Sequence, residues 1–169
     1  MVNIIITTGI EIPNKKITDL AGKNEQLGNR NKSKNNSKEI TKSAKKIIFT
    51  SNDDELNRKI LEKEPIDILL INQSNKRDFQ KQRNSGFNQV LAKIAKKNKI
   101  TIGIDLDEIL ESKSKKEILA RTKQNIKLCN KNKLKMKFIS QNPKNNRNLY
   151  DLKSLGLILG MPTWMTKGL

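Results

Sequence analysis

Short apolar runs rich in β-branched residues recur along the sequence and alternate with segments of helical periodicity. Such runs are typical of strands that are buried on both faces of a sheet. Five runs are predicted as strands: 2–7, 45–50, 66–71, 100–105 and 135–140. Strands that alternate with helices indicate parallel pairing through right-handed crossovers. The pattern therefore predicts an α/β fold, and it leaves open whether the sheet is an open doubly wound sheet or part of a barrel.

The segment 83–110 is the most informative part of the chain, because it combines a loop, a helix, a turn and a strand. Asn84 and Ser85 are predicted to cap the helix, because a short polar side chain can accept an unpaired backbone N–H. An apolar stripe at helical spacing is formed by Phe87, Val90, Leu91, Ile94 and Ala95. Three lysines lie off this stripe and are predicted to form a basic outer surface: Lys93, Lys96 and Lys97.

Capping residues and apolar spacing predict further helices. One ends near Pro65, and another begins at a capping box formed by Ser114 and Glu117 and extends to about residue 131. The exterior of this second helix is predicted to carry basic side chains: Arg121, Lys123, Lys127 and Lys131. The last helix covers about 149–159 and ends at Gly160, and residues 161–169 are predicted to form a tail.

Residues 13–42 differ in composition from the rest of the chain. Asn, Lys and Ser dominate this segment, and between positions 21 and 38 the apolar side chains are Ala21 and Leu27. Little apolar surface is available there to offset the entropy of ordering. The sequence therefore predicts a single domain over 1–169 that is interrupted by a largely disordered insertion at about 13–42.

Basic residues greatly outnumber acidic ones, with 35 Lys and Arg against 17 Asp and Glu and a net charge of +18. This excess goes beyond what solubility requires and implies a polyanionic partner, of which RNA and DNA are the commonest. An AT-rich genome also enriches Lys, Asn and Ile, but it does not explain the bias in the sign of the charge.

Cysteine and histidine usage narrows the kinds of site that the chain can build. Cys129 is the single cysteine, and the sequence has no histidine. A single cysteine cannot form a disulfide within the chain, which suits a reducing cytoplasm. Cys129 lies within a helical pattern, so it is predicted to be a core residue rather than a nucleophile. The lack of histidine removes the commonest metal ligand and the usual general base near neutral pH. No apolar run approaches membrane-spanning length, which predicts a soluble cytoplasmic protein.

Two runs of residues carry a family resemblance. The first is RNSGFNQVLAKIA at 83–95, followed by the strand ITIGIDL at 100–106, and the second is RNLYDLKSLGLILGM at 147–161. Over about 45–161 the chain resembles the ribonuclease P protein component 3 family, the archaeal and eukaryotic proteins that assemble on the RNA subunit of the tRNA 5′-processing enzyme. The chain departs from the family pattern at Asn84, where an Asp is usual.

The resemblance implies a fold and a function. The implied fold is a TIM-barrel-like incomplete barrel of about five to six parallel strands, with leading βα units missing. The implied function is that of a protein subunit that binds the catalytic RNA and supports 5′-end maturation of pre-tRNA. The implied partners are ribonuclease P RNA, pre-tRNA indirectly, protein component 2 in a heterotetramer and other ribonuclease P proteins. No catalytic residue or cofactor of its own is expected, and Mg²⁺ is expected on the RNA subunit.

The candidate contacts to RNA are basic side chains, and arginine is preferred because its planar fork matches phosphate oxygens. The candidates are Arg58, Arg83, Lys93, Lys96, Lys97, Arg121 and Arg147. For each arginine the alternative is a surface ion pair. Aromatic residues make up 4% of the chain, so base stacking is not expected to dominate, and recognition of RNA shape through phosphate and sugar is predicted.

Two other functions remain open from the sequence. Asp105, Asp107 and Glu108 follow a predicted strand, where βα-barrel enzymes place their chemistry, and a carboxylate pair there could hold Mg²⁺ in a stand-alone metal-dependent hydrolase. The structural alternative is that Asp105 and Asp107 cap a short helix. A third possibility is a βα domain that binds nucleic acid without specificity.

Overall fold

A computed structural model describes residues 2–7 and 46–169, and residues 2–7 are described by their backbone. The described strands form one sheet in the order β1-β2-β3-β4-β5. These strands are β1 (Val2–Thr7), β2 (Lys46–Ser51), β3 (Ile68–Ile71), β4 (Thr101–Asp105) and β5 (Met136–Ile139). Strands β2 to β5 pair in parallel, which confirms the predicted α/β architecture. The predicted insertion at 13–42 lies outside the described residues.

The described helices follow the strands in sequence. They are α1 (Asp54–Lys63), α2 (Gln89–Lys97), α3 (Leu106–Glu111), α4 (Lys115–Asn132), α5 (Leu149–Leu159) and α6 (Thr163–Thr166). A short 3₁₀ turn, Pro143–Asn145, precedes α5. Helices α1, α2 and α4 connect successive parallel strands, as crossovers do, and α3 is a short addition directly after β4.

The prediction that all strands run parallel is wrong for β1. This strand pairs antiparallel with β2, with Val2 opposite Ser51 and Thr7 opposite Lys46, so the described sheet has four parallel strands and one antiparallel edge strand. The parallel prediction depended on a helical segment between successive strands, and the sequence between β1 and β2 has no apolar helical stripe. An antiparallel edge strand on an otherwise parallel sheet is common in α/β folds.

Alternate residues of the strands supply two apolar clusters on opposite faces of the sheet. Phe49 and Leu69 belong to the larger cluster, which also contains the buried faces of the helices. Ile48, Ile68 and Leu70 belong to a smaller cluster. Because neighbouring strand residues point to opposite faces, the continuous apolar runs bury both sides of the sheet. This is the arrangement of a barrel wall, with helices on one face and apolar side chains on the other.

Helix α2 begins later than the sequence predicted. Its N-cap is Asn88, whose Oδ1 accepts a hydrogen bond from the N–H of Leu91 at 3.0 Å, so the predicted caps Asn84 and Ser85 are wrong. The chain first turns through Gly86, which has a φ of +67°, a conformation that glycine adopts without steric cost. The predicted stripe is also wrong at Val90, which is 53% exposed, whereas Leu91 and Ala95 are buried.

Helix ends elsewhere agree in part with the predictions. Helix α5 ends at Gly160 with a φ of +94°, as predicted. Helix α4 begins after Ser114 as predicted, but the Ser114 side chain makes no capping hydrogen bond to it. The predicted tail is wrong, because Met161 and Met165 are buried in the main core and Met165 lies within α6. Helix α6 is only four residues long, so the sequence contains no helical stripe that could have predicted this packing.

Cys129 is buried in the main core, which confirms its predicted position. Burial raises the pKa of its thiol to about 12. A thiol with so high a pKa is a poor nucleophile at neutral pH.

Candidate nucleic-acid interface

A cleft of about 1040 Å³ opens between the start of α1, the segment 79–89 and the outer face of α4. We call it the basic cleft, because five cationic side chains line it: Arg58, Arg83, Lys123, Lys127 and Lys131. It combines residues from three parts of the chain that are distant in sequence. Two carboxylates, Asp54 and Glu55, also line it, and Asp54 forms an ion pair with Lys76 at 2.9 Å. The cleft therefore has a net positive charge.

The three lysines of α4 are exposed and repeat every four residues, which places them in a row on one helical face. Within the described part of the chain, no ion pair joins these lysines or Arg83 to a carboxylate. Arg58 differs, because it forms an ion pair with Glu62 on the next turn of α1, with 2.9 Å between Arg58 Nε and Glu62 Oε1. Four of the five cations are thus available to an anionic partner without breaking an ion pair among the described residues.

Arg121 does not reach this surface. Its side chain is buried, and its Nε donates to Asp78 Oδ1 at 2.7 Å. The two other guanidinium nitrogens donate to the backbone carbonyls of Gln73 and Lys76, each at 2.7 Å. The prediction that Arg121 lies on the exterior of α4 and contacts RNA is therefore wrong, because all three of its nitrogens already bind the loop that follows β3.

This loop, residues 72–88, forms one wall of the basic cleft and is anchored at further points. Glu108 accepts hydrogen bonds from the N–H of Gln73 at 2.9 Å and from the N–H of Ser74. The buried Gln73 amide donates to the carbonyl of Ser85 at 3.0 Å, which ties the two ends of the loop together. The loop therefore has a defined shape although it contains no helix or strand.

The hydrogen bond from Arg121 is the main cause of a lowered pKa at Asp78, and the N–H of Asn84 adds to it. These contacts more than offset the desolvation of the carboxyl group, which acts in the opposite direction. Asp78 is thus held in its charged form, in which it accepts hydrogen bonds from both α4 and the far end of the loop.

The acidic residues at the end of β4 and in the first turn of α3 have structural partners. Asp105 caps α3 by accepting from the N–H groups of Asp107 and Glu108 at 2.9 and 3.1 Å, and burial raises the pKa of its carboxyl group. Asp107 accepts from the hydroxyl of Ser140 at 2.6 Å and from the amide of Asn145 at 2.9 Å. Burial acts to raise the pKa of Asp107, but its hydrogen bonds outweigh burial and the pKa is lowered.

The capping interpretation is therefore correct for Asp105, whereas Asp107 binds the loop after β5 instead of capping α3. Glu108 binds the loop after β3. Among residues 2–7 and 46–169, no group of three or more metal-binding side chains is close enough to hold a metal ion.

The other sequence-predicted contacts lie outside the basic cleft. Lys93, Lys96 and Lys97 are exposed on α2, and Lys96 Nζ donates to the carbonyl of Lys133 at 3.0 Å. Arg147 is exposed just before α5 and donates to the carbonyls of Lys144 and Asn146 at 3.2 and 3.1 Å. The structure thus brings together two of the seven candidates, Arg58 and Arg83.

Sequence reasoning missed the α4 lysines as contacts, although their spacing of four residues was visible. It treated them as an ordinary solvated helix exterior. The fact that makes them distinctive is that Arg83 lies across the cleft from them, and this is a property of the tertiary structure.

A second surface has the opposite character. The exposed face of α5 carries Tyr150, Leu157 and Ile158, which are 79%, 51% and 75% exposed, and the adjoining Leu149 is 45% exposed. The other exposed residues of this helix are Asp151 and Ser154, and the one cation of the helix, Lys153, is half-buried one turn from Leu149 and Leu157. An exposed apolar helix face in so basic a chain is more suited to a protein partner than to RNA. We call it the apolar face of α5.

In the described residues no helix has both the length and the apolar character that a membrane span requires.

The architecture is that of an α/β protein with a basic cleft, and comparison with known proteins identifies the family. The family model described as RNase P subunit p30 matches residues 25–167, and the chain belongs to this family. The family predicted from the sequence is thereby confirmed. A search of curated protein sequences found no match.

A solved structure has a similar fold. It is a chain of the cryo-EM structure of archaeal ribonuclease P with mature tRNA, with a TM-score of 0.60 and 22% sequence identity. The similarity covers 71% of this chain and 51% of that chain, so the present chain spans about half the length of its structural relative. The predicted TIM-barrel-like α/β fold is confirmed, with four parallel strands among those described.

Proposed function

We propose that the chain acts as an RNA-binding protein subunit of ribonuclease P, the role expected from its family. The observation that carries the proposal is the basic cleft, in which cations from α1, the loop 72–88 and α4 converge on an anchored wall. Lys and Arg side chains in such a cleft neutralise phosphates and set the position of the protein on the RNA. Family membership supplies the identity of the RNA.

The proposed role is supportive and not chemical. The RNA subunit cuts pre-tRNA at its 5′ end, and Mg²⁺ acts on the RNA, while the protein braces the RNA fold by reducing repulsion between phosphates. The side chains of Asp105, Asp107 and Glu108 support this view, because each accepts hydrogen bonds from backbone N–H groups that border the strands' carboxyl ends. A cytoplasmic site of action is part of the same proposal.

A reconstitution experiment separates this proposal from the stand-alone hydrolase. The protein alone with Mg²⁺ is expected to leave pre-tRNA uncut, and its addition to ribonuclease P RNA with the other protein subunits is expected to raise 5′ maturation. Asp107→Ala is expected to leave RNA-free turnover unchanged at background. RNA-free cleavage that disappears in Asp107→Ala would contradict the proposal and favour the hydrolase.

We further propose protein component 2 as the partner that covers the apolar face of α5. This face exposes four large apolar side chains and carries one half-buried cation, Lys153, in a chain with a net charge of +18, so it is better suited to an apolar protein surface than to RNA. Burial of exposed Ile158 and Leu157 would remove apolar area from water at about 25 cal/mol per Å².

Ile158→Asp is expected to weaken association with protein component 2 by at least about tenfold, since a desolvated carboxylate would face an apolar partner. The matched control is Val90→Asp, which introduces the same charge at an exposed apolar helix position on α2. Isothermal titration with purified component 2 measures both. Equal affinities for wild type and Ile158→Asp would assign the partner to another surface.

A further inference from the structure

Phe79 is an unusual residue in the wall of the basic cleft. Its side chain is 60% exposed, in a chain that has four Phe, one Tyr and one Trp. A single exposed apolar residue needs no special explanation on an ordinary surface. Phe79, however, lines the same cleft as Arg83 and the lysines of α4, so an aromatic face borders a set of cations.

The backbone at Phe79 is held on both sides. The preceding residue, Asp78, accepts hydrogen bonds from Arg121 at 2.7 Å and from the N–H of Asn84 at 2.9 Å. Phe79 itself donates its N–H to the carbonyl of Gln82 at 2.9 Å. The aromatic residue therefore stands on a short turn whose base is fixed to the buried guanidinium of α4. Because the backbone of this turn is already fixed, little of it has to be ordered when a ligand stacks on Phe79.

We propose that the basic cleft takes an unpaired nucleotide of RNA, with its base stacked on the ring of Phe79 and the adjoining phosphates bound by Arg83 and the α4 lysines. The inference rests on the proposed function, and it adds a single-stranded element to the recognition of RNA shape. Bases within an A-form helix are stacked on each other, so only an unpaired base offers a free face to a side chain. Stacking on an aromatic ring next to basic residues is the usual mode for single-stranded nucleic acid.

The chemistry of the cleft favours a nucleotide over an acidic peptide. An acidic peptide would use the cations but would leave the ring of Phe79 without a flat partner. A nucleotide uses both, because its phosphate is anionic and its base has an aromatic face. The cleft volume of about 1040 Å³ is ample for one nucleotide and its neighbouring phosphates.

The test compares two RNA probes on the purified full-length protein. One is a short oligouridylate with a single 2-aminopurine, and the other is an RNA duplex of the same total charge. Phe79→Ala is expected to weaken oligouridylate binding by at least about fivefold, the lower bound for loss of one stacked base, and to leave duplex binding unchanged. Phe79→Tyr keeps the ring and is expected to bind like wild type, whereas Phe79→Leu keeps apolar volume without the ring and is expected to behave like Phe79→Ala.

The 2-aminopurine fluorescence supplies a readout that a change in stability would not produce. Stacking is expected to quench it on binding to wild type and Phe79→Tyr, and not on binding to Phe79→Leu at saturating protein. Wild type could bind both probes while Phe79→Ala and Phe79→Leu match it in affinity and quenching. That result would contradict the proposed nucleotide site but not the proposed binding of RNA. If wild type binds neither probe nor ribonuclease P RNA, the proposed function fails first and the inference fails with it.

Discussion

Arg121→Ala is expected to lower the free energy of unfolding by about 3 kcal/mol, the low end of the range for breaking a buried ion pair from one side. The guanidinium is buried and binds Asp78 and two backbone carbonyls, those of Gln73 and Lys76. Its removal leaves these acceptors without their donor and opens a cavity beside α4. Urea denaturation of both proteins measures the difference.

Arg58→Ala is the matched control. Arg58 also forms an ion pair within the chain, with Glu62 at 2.9 Å, but its side chain is 60% exposed. Exposed pairs of this spacing on a helix contribute about 0.3–0.5 kcal/mol, so the control is expected to unfold almost like wild type. Equal effects of the two substitutions would mean that Arg121 is not the anchor of the loop 72–88.

The pH dependence of stability gives a second check on the same contact. The pKa of Asp78 is lower in the folded protein than in the unfolded chain, chiefly because of Arg121. The contact therefore stabilises the protein fully above the unfolded pKa, about 4, and the stabilisation is lost as pH falls through the folded pKa. Arg121→Ala is expected to show a shallower loss of stability over this acidic range than wild type.

The sequence predicted those parts of the fold that depend on local pattern. The four parallel strands and the crossover helices were visible because an apolar run or stripe is a property of neighbouring residues. Arg121 shows where that reasoning stops. It lies three residues after the buried Ile118, so spacing alone places it on the buried face of α4. Because Arg121 is charged, it was predicted to be exposed. The acceptors that allow its burial lie 43 to 48 residues earlier in the chain, where local spacing gives no sign of them.

The candidate site was predictable in composition and not in position. Net charge indicated a polyanionic partner, and the family motif indicated Arg83. Which other cations join Arg83 depends on how α4 packs beside α2, and no local pattern encodes that contact. For the same reason Phe79 was not distinguishable from any other loop residue until the cleft placed it beside the lysines.

The combined substitution of Lys123, Lys127 and Lys131 by alanine is expected to weaken binding to ribonuclease P RNA by about 100-fold near 0.1 M salt. Each phosphate that a lysine neutralises adds about 0.7–0.9 to the slope of log affinity against log salt. Removal of three such contacts should therefore lower the magnitude of this slope by about 2–3. Affinity measured over a salt series gives both quantities, and the exposed positions make a large loss of stability unexpected.

The matched control removes the same charge from another helix. Lys93, Lys96 and Lys97 are also exposed, lie on α2 outside the basic cleft and were themselves candidates from the sequence. Their combined substitution by alanine is expected to lower the slope by less than about 1, because net charge acts weakly at a distance in salt. An equal loss in both variants would show that overall charge and not the cleft binds RNA. A larger loss in the α2 variant would move the interface to α2, since both variants remove three positive charges.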